Sequence, residues 1–156
     1  MFDVTSNEYV LAMPSILTDL LYFARVPADS PQPLILVVDD YADAREMYSE
    51  SLLVAGFRVA EAANGVDAVS QAHALSPAAI LMDLSLPGLD GWEATRLLKA
   101  DAATRHIPIV AITGHVPAQA MERASAAGCD RLLIKPALPD QVIAEVRLAL
   151  RRDPSI

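Results

Sequence analysis

Five polar side chains sit where apolar runs end, and their types belong together chemically. Asp39 and Asp40 follow LILVV (34–38), Asp83 follows AAILM (78–82), Thr113 closes IPIVAIT (107–113) and Lys135 closes RLLIK (131–135). Three carboxylates brought to one place repel, and one of them takes up a proton unless a cation joins them. Oxygen-only ligands on a partly open site suit Mg²⁺, which keeps several waters and prefers one or two carboxylates plus a phosphoryl oxygen. Lys135 adds one positive charge and Thr113 one hydroxyl donor. A phosphoryl group matches that set. Aspartate can accept phosphate covalently, while metal and lysine neutralise charge on the oxygens during in-line transfer.

Each residue alone has a plainer reading. Asp39 and Asp40 could cap a helix, and Asp83 could form an Asx turn before Pro87-Gly88. Lys135 before Pro136 could be a solvated strand end, and Thr113 an ordinary β-branched strand residue. Their joint occurrence favours the site.

The elements needed to bring them together are legible from residue 34 onward. LILVV, FRVAEA (57–62), AAILM, IPIVAIT and RLLIK read as strands. The continuous apolar runs among them fit strands covered on both faces. Between and after them lie helical spacings: Tyr41 to Ala55, with Met47, Leu52 and Leu53 for an inner face and Gly56 as its stop; Val66 to Leu75, after an Asn64-Gly65 turn; Trp92 to Ala100; about Pro117 to Ala127, ended by Gly128; and about Pro139 to Arg151, with Val142, Ile143, Val146 and Leu150 on one face. Five β-then-α units with short loops imply an α/β, doubly wound parallel sheet. Right-handed crossovers favour the flavodoxin-like order 2-1-3-4-5, with ligands at the switch between strands 1 and 3. Those two strands deliver the three carboxylates.

In order and spacing, VVDD (37–40), MDLSLPGLDG (82–91), AIT (111–113) and KP (135–136) resemble the receiver domain of two-component response regulators, over roughly residues 33 to 152. The resemblance implies that Asp83 is the phosphoacceptor, attacking a phosphohistidine on a histidine kinase or histidine phosphotransfer protein. It implies Mg²⁺ on Asp40, Asp83 and the backbone carbonyl of Ser85, with Asp39 acting mainly through bound water. Lys135 would contact the phosphoryl group and Thr113 would close onto it, biasing a two-state equilibrium. In the family an aromatic three residues before the lysine often moves with the threonine. Here that position is Leu132, which puts the aromatic switch in doubt, so the signal is expected to travel by backbone shifts around residues 114 to 120, where Gly114 supplies flexibility.

Composition sets the remaining bounds. Apolar residues make up 53% of 156, and twelve basic against twenty acidic side chains leave a net charge of -8. That argues for a globular core and against a duplex-binding surface, so no direct nucleic-acid contact is expected. Cys129 is the single cysteine and is expected to pack as a small hydrophobe in a reducing compartment. YVLAMPSIL (9–17) lacks a preceding positive charge and is broken by Pro14, which argues against a targeting signal or membrane span; the expected location is cytoplasmic. His73, His106 and His115 share no ligand spacing. His73 and His106 read as solvated, and His115 as a residue that could tune water access to the site. Trp92 reads as packing, and Arg151-Arg152 as a basic helix end.

Residues 1–33 form an N-terminal extension: Ile16, Leu17, Leu20, Leu21 and Ala24 have helical spacing, and Pro27, Pro31 and Pro33 mark a stiff linker. A helix so short is marginal alone, so it docks on the receiver, on a second copy or on a partner, or is a disordered tail or remnant of an early start site. The receiver is read over 34–152 and a tail over 153–156. With no output domain after the fifth helix, the expectation is a stand-alone receiver of two-component or phosphorelay signalling. It would pass its phosphoryl group on or bind a downstream protein, with a homodimer formed through the extension or the 4-5 face as an option. Such a protein catalyses its own phosphorylation and dephosphorylation and is not a turnover enzyme. Two other classes compete: a phosphorylation-independent binding module, and a Mg²⁺-dependent phosphohydrolase. The second usually has a DxD pair, whereas Leu84 and Ser85 follow Asp83.

Overall fold

A computed structural model describes residues 31–114 and 119–151. The chain alternates strictly: β1 (Leu34–Val38), α1 (Ala42–Val54), β2 (Arg58–Ala62), α2 (Gly65–Leu75), β3 (Ala79–Asp83), α3 (Gly91–Ala100), β4 (Ile109–Thr113), α4 (Gln119–Ala127), β5 (Arg131–Ile134) and α5 (Pro139–Leu150). All strand pairs are parallel and the order is β2-β1-β3-β4-β5. Leu36 stands beside Ala60 on one flank and Ile80 on the other, Asp83 beside Ile112, and Thr113 beside Ile134.

Period-2 alternation splits the apolar strand residues between two cores. Ile35, Val37, Leu81, Val110 and Ile112 meet Tyr48 and Leu52 of α1 and Val142 and Val146 of α5. Leu36, Val38, Ile80, Met82 and Ile109 meet Ala68 and Ala72 of α2 and Ala94 and Leu98 of α3. Each such fully buried branched side chain contributes about 1.5–3 kcal/mol. With helices on both faces, the ends of β1 and β3 are fixed within a layered core, and Asp39 and Asp83 are buried at their carboxyl ends. The edge strand β2 keeps Arg58 and Glu61 exposed, which discourages edge pairing.

The structure corrects three local expectations. In α1 the inner face is Tyr48, Ser49 and Leu52, while Met47 and Leu53 are 40% and 54% exposed. The hydrophobic residues alone mislead there, because the aromatic Tyr48 is what reaches the core. Asn64-Gly65 is a helix start rather than a separate turn: Asn64 caps α2 by accepting from the Asp67 N–H at 2.8 Å, and Gly65 is its first residue. Asp83 is the last residue of β3 rather than the first beyond it. Gly56 and Gly128 end α1 and α4 with φ of 95° and 93°, as helix-stopping glycines do. The helix expected on residues 1–33, Pro117, His115 and Arg152 lie outside the described residues.

Candidate functional site

At the carboxyl edge of the sheet, one carboxylate oxygen from each of Asp39, Asp40 and Asp83 lies within 4.8 Å of the others. Asp39 and Asp83 are buried at 2% and 4% exposure, while Asp40 is open to solvent. Two acids are therefore held in the protein and one faces out. Their backbone settings explain this. β1 ends at Val38, the Asp39 N–H donates to the Ala62 carbonyl at 3.2 Å, and the Tyr41 N–H donates to Asp39 Oδ1 at 2.9 Å. The Ser85 N–H donates to Asp83 Oδ1 at 2.8 Å. The Asx-type contact considered for Asp83 is thus present, and it serves to orient the acid.

Lys135, one residue beyond β5, sets its Nζ 3.2 Å from Asp39 Oδ2 and 3.1 Å from Asp83 Oδ2. Its backbone N–H donates to the Thr113 carbonyl at 2.8 Å, which ties the lysine to the end of β4. Burial works against the Lys135 charge, but the hydrogen bond to Asp83 and the nearby Asp83 and Asp39 charges outweigh it, so its pKa lies above the ordinary lysine value. Burial is also the largest influence on Asp39 and raises its pKa. The Tyr41 N–H and the lysine offset this only in part, and the Asp83 charge adds to it.

A hard divalent cation fits this donor set. Three carboxylates with oxygen donors alone and one side open to water match Mg²⁺ and not a metal that favours nitrogen or sulfur. Asp39, Asp40, Asp83 and the Ser85 carbonyl are the candidate ligands. Thr113 is buried at 2% exposure at the end of β4, and Ser85 is exposed. Both line a cavity of about 360 Å³ together with Leu84, Trp92, Gln119 and Arg123, which opens the site toward α4.

The loop from Leu84 to Asp90 is pinned by two glycines, Gly65 and Gly91, which the sequence marks only as part of a turn and as the end of the 82–91 motif. A Cβ at Gly91 would collide with the Asp83 carbonyl oxygen and stand 2.6 Å from Leu84 Cα; at Gly65 it would collide with the Leu89 carbonyl oxygen. Both glycines open helices, and the missing Cβ is what permits the close backbone approach. Asp90 caps α3 by accepting from the Glu93 N–H at 2.8 Å. Arg45 and Tyr48 are the other residues that sequence reasoning missed. The first donates through Nη1 to the Asp39 carbonyl at 2.8 Å, and the second donates to the Ala137 carbonyl at 3.4 Å. Arg45 could have been noticed as the one base among Asp43, Glu46 and Glu50 in α1.

The remaining candidates stand apart from the cluster. His73 is exposed as expected, yet it is not free: its ring nitrogens lie 2.9 Å from the Val69 carbonyl and 2.8 Å from the Asp101 carboxylate. The Val69 contact and then the Asp101 contact raise its pKa. His106 is exposed. Cys129 is half-buried against the α2–α3 core, and burial pushes its thiol up to about 11. Trp92 packs on the same core and also carries the Arg123 guanidinium 4.6 Å from its ring centroid. Leu132 is partly buried against that core.

A doubly wound sheet thus gathers three acids and a lysine at its switch point. The family model of the response regulator receiver domain matches residues 35–147, and the chain belongs to that family. It is 35% identical over 125 residues to the DNA-binding response regulator MtrA of Mycobacterium tuberculosis, covering 80% of this chain and 54% of that protein. It is 38% identical over 122 residues to the phosphate regulon transcriptional regulatory protein PhoB of Pseudomonas aeruginosa, covering 76% and 52%. The chain thus spans about half the length of these relatives. A crystal structure of the receiver domain of a sensor histidine kinase from Pseudomonas aeruginosa, with a magnesium ion in its active-site cleft, is 31% identical, with a TM-score of 0.72 over 78% of this chain and 99% of that one. The chain is accordingly a response regulator receiver domain of two-component signalling. Among its described residues no helix is long and apolar enough to cross a membrane.

Proposed function

We propose that residues 34–152 form a phosphoacceptor switch in which Asp83 takes a phosphoryl group from the phosphohistidine of a histidine kinase or phosphotransfer protein. The observation that carries this is the Lys135 ammonium bonded to both Asp83 and Asp39 inside a three-carboxylate cluster. A carboxylate oxygen of Asp83 forms the new O–P bond while the P–N bond to the donor imidazole breaks, and its electron pair returns to that nitrogen. The Ser85 N–H holds Asp83 in a fixed rotamer for this attack. Lys135, ionised by its two acid neighbours, donates to a phosphoryl oxygen where negative charge gathers. Asp40, Asp83 and the Ser85 carbonyl would hold Mg²⁺, with Asp39 acting mainly through bound water, and the bound ion would supply further charge compensation. The magnesium ion described in the active-site cleft of the Pseudomonas receiver supports a magnesium site here.

Once Asp83 is phosphorylated, Thr113 donates its hydroxyl to the new group and draws the end of β4 with it, and Leu132 leaves the readout to the backbone and α4. The acyl phosphate returns to carboxylate when water attacks phosphorus, or passes to another histidine. The product stays on the protein, so turnover of external substrates is not its work. Residues 1–33, read as a short helix and a Pro-rich linker, would dock on the receiver, on a second copy or on a partner. We place the exchange in the cytoplasm, with a downstream protein as the target. The acidic balance speaks only for this chain, and the names of MtrA and PhoB assign DNA binding and transcriptional regulation to proteins about twice its matched length.

The test is beryllofluoride, which mimics an aspartyl phosphate. With Mg²⁺ it should bind the parent in a 1:1 ratio by calorimetry and fail to bind Asp83→Asn or Asp40→Asn. Equal binding to Asp83→Asn would refute the acceptor assignment. No binding to the parent would favour a constitutive binding module.

A further inference from the structure

α1 reaches the site at two points, and neither is a residue of the acid cluster. Arg45 Nη1 donates at 2.8 Å to the carbonyl of Asp39, the oxygen of the peptide that joins Asp39 to Asp40. The other arm of the same guanidinium is steadied by Glu61 of β2, with Nε at 3.3 Å from its carboxylate. Three residues on, and so on the same flank of the helix, Tyr48 is buried at 3% exposure and donates its hydroxyl at 3.4 Å to the carbonyl of Ala137. Ala137 lies two residues beyond Lys135. One helix thus holds the backbone of the acid pair with one side chain and the backbone of the lysine loop with the other.

We infer that Arg45 and Tyr48 are positioning residues, a two-point brace by which α1 sets the separation between the Asp39–Asp40 peptide and the Lys135 loop. This rests on the phosphoacceptor reading and adds a division of labour to it. Arg45 governs the metal half of the site, because the peptide it holds bears two of the three carboxylates. Tyr48 governs the phosphoryl half, because the segment it holds bears the lysine. The surroundings agree: the Tyr48 phenol feels burial first and then the charges of Lys135, Asp39 and Asp83, so it stands within electrostatic reach of the whole cluster. A carbonyl left without its donor at a buried edge relaxes toward water or another donor, and a shift well under 1 Å is enough to spoil oxygen ligation or an in-line contact.

Thermal melting separates this from a packing role. Parent, Arg45→Ala, Arg45→Lys and Tyr48→Phe are melted in EDTA, then across a Mg²⁺ titration, then across a beryllofluoride titration at saturating Mg²⁺. The EDTA melt reads intrinsic stability, and the ligand-induced rise reads affinity. Arg45→Ala should weaken Mg²⁺ binding about three- to tenfold, the size expected for one hydrogen bond. Arg45→Lys, with one donor group in place of two arms, should lose part of that, and it reads the effect if Arg45→Ala does not fold. Tyr48→Phe should hold Mg²⁺ within about twofold of the parent and bind beryllofluoride about three- to tenfold more weakly. Lower EDTA melts with unchanged binding of both probes would overturn the brace. So would tighter Mg²⁺ binding by Arg45→Ala, since the guanidinium would then act only as a charge repelling the metal. A parent that binds neither probe would remove the phosphoacceptor reading, and the brace with it.

Discussion

Removing the Lys135 ammonium while keeping its length, as in Lys135→Met, should destabilise the metal-free protein and enlarge the stabilisation that Mg²⁺ brings. Nζ stands 3.1 Å from Asp83 and 3.2 Å from Asp39, both buried, while the lysine side chain is 30% exposed. Each contact is worth about 1.3 kcal/mol in a water-like medium and about 5 kcal/mol at an effective dielectric near 20. Desolvation takes back much of that, which leaves a net loss of about 2 kcal/mol and a fall in Tm of roughly 6–10 °C in EDTA at pH 7.5. The sign with pH follows from the acids. Without the lysine Asp39, already raised by burial, binds protons more readily in the folded state, so the destabilisation shrinks as pH falls through its raised pKa. Mg²⁺ then replaces the missing charge, and its stabilising effect should be larger in the variant than in the parent. Scanning calorimetry at pH 5, 6.5 and 8, with EDTA or Mg²⁺, tests all three statements. A variant that melts with the parent in EDTA at every pH would refute Lys135 as the counter-charge of the cluster.

Asp39→Asn should raise Tm by a few degrees in EDTA, because the parent's Asp39 is raised above the ordinary 3.8 mainly by burial and its ionised form costs stability. That gain is present above the raised pKa and should vanish as pH falls through it, while the Mg²⁺-induced rise should shrink at all pH values. Gly91→Ala should cost about 1–3 kcal/mol in urea unfolding, since its Cβ has no room beside the Asp83 carbonyl and Leu84; an unchanged urea midpoint would show that the α3 start yields freely. Cys129, with its thiol near 11 rather than the ordinary 9.0, should alkylate with iodoacetamide at pH 8 roughly a hundredfold more slowly than an open thiol. A rate equal to that of free cysteine would contradict its burial.

Strand positions and the polar residues at their ends were legible because the same feature marks both. A parallel strand buried on both faces is a continuous apolar run, so the first polar residue after it is already at the sheet edge. Asp39, Asp40, Asp83, Thr113 and Lys135 are each read in that way, and the order rule for open sheets places β1 and β3 side by side. The same reading failed where contact is made by something other than an apolar side chain. Met47 and Leu53 look like core residues of α1, but the helix turns Tyr48 inward, and a tyrosine has no fixed place in a hydrophobic pattern. Arg45 and Tyr48 bond to backbone carbonyls of Asp39 and Ala137, and a carbonyl leaves no mark in a sequence. Gly91 matters for the atom it lacks, which is visible only once Asp83 and Leu84 are in place beside it. The Arg123–Trp92 contact joins α3 to α4 across 31 residues of chain, beyond the reach of local spacing.

The most direct measurement is the intact mass of the chain after exposure to Mg²⁺ and acetyl phosphate, beside Asp83→Asn and a metal-free control. A single phosphoryl adduct on the parent, absent from the variant and from the control, is the result this account predicts. An adduct of equal yield on Asp83→Asn would contradict it, because the acceptor would then lie outside the cluster that Asp39, Asp40 and Lys135 surround.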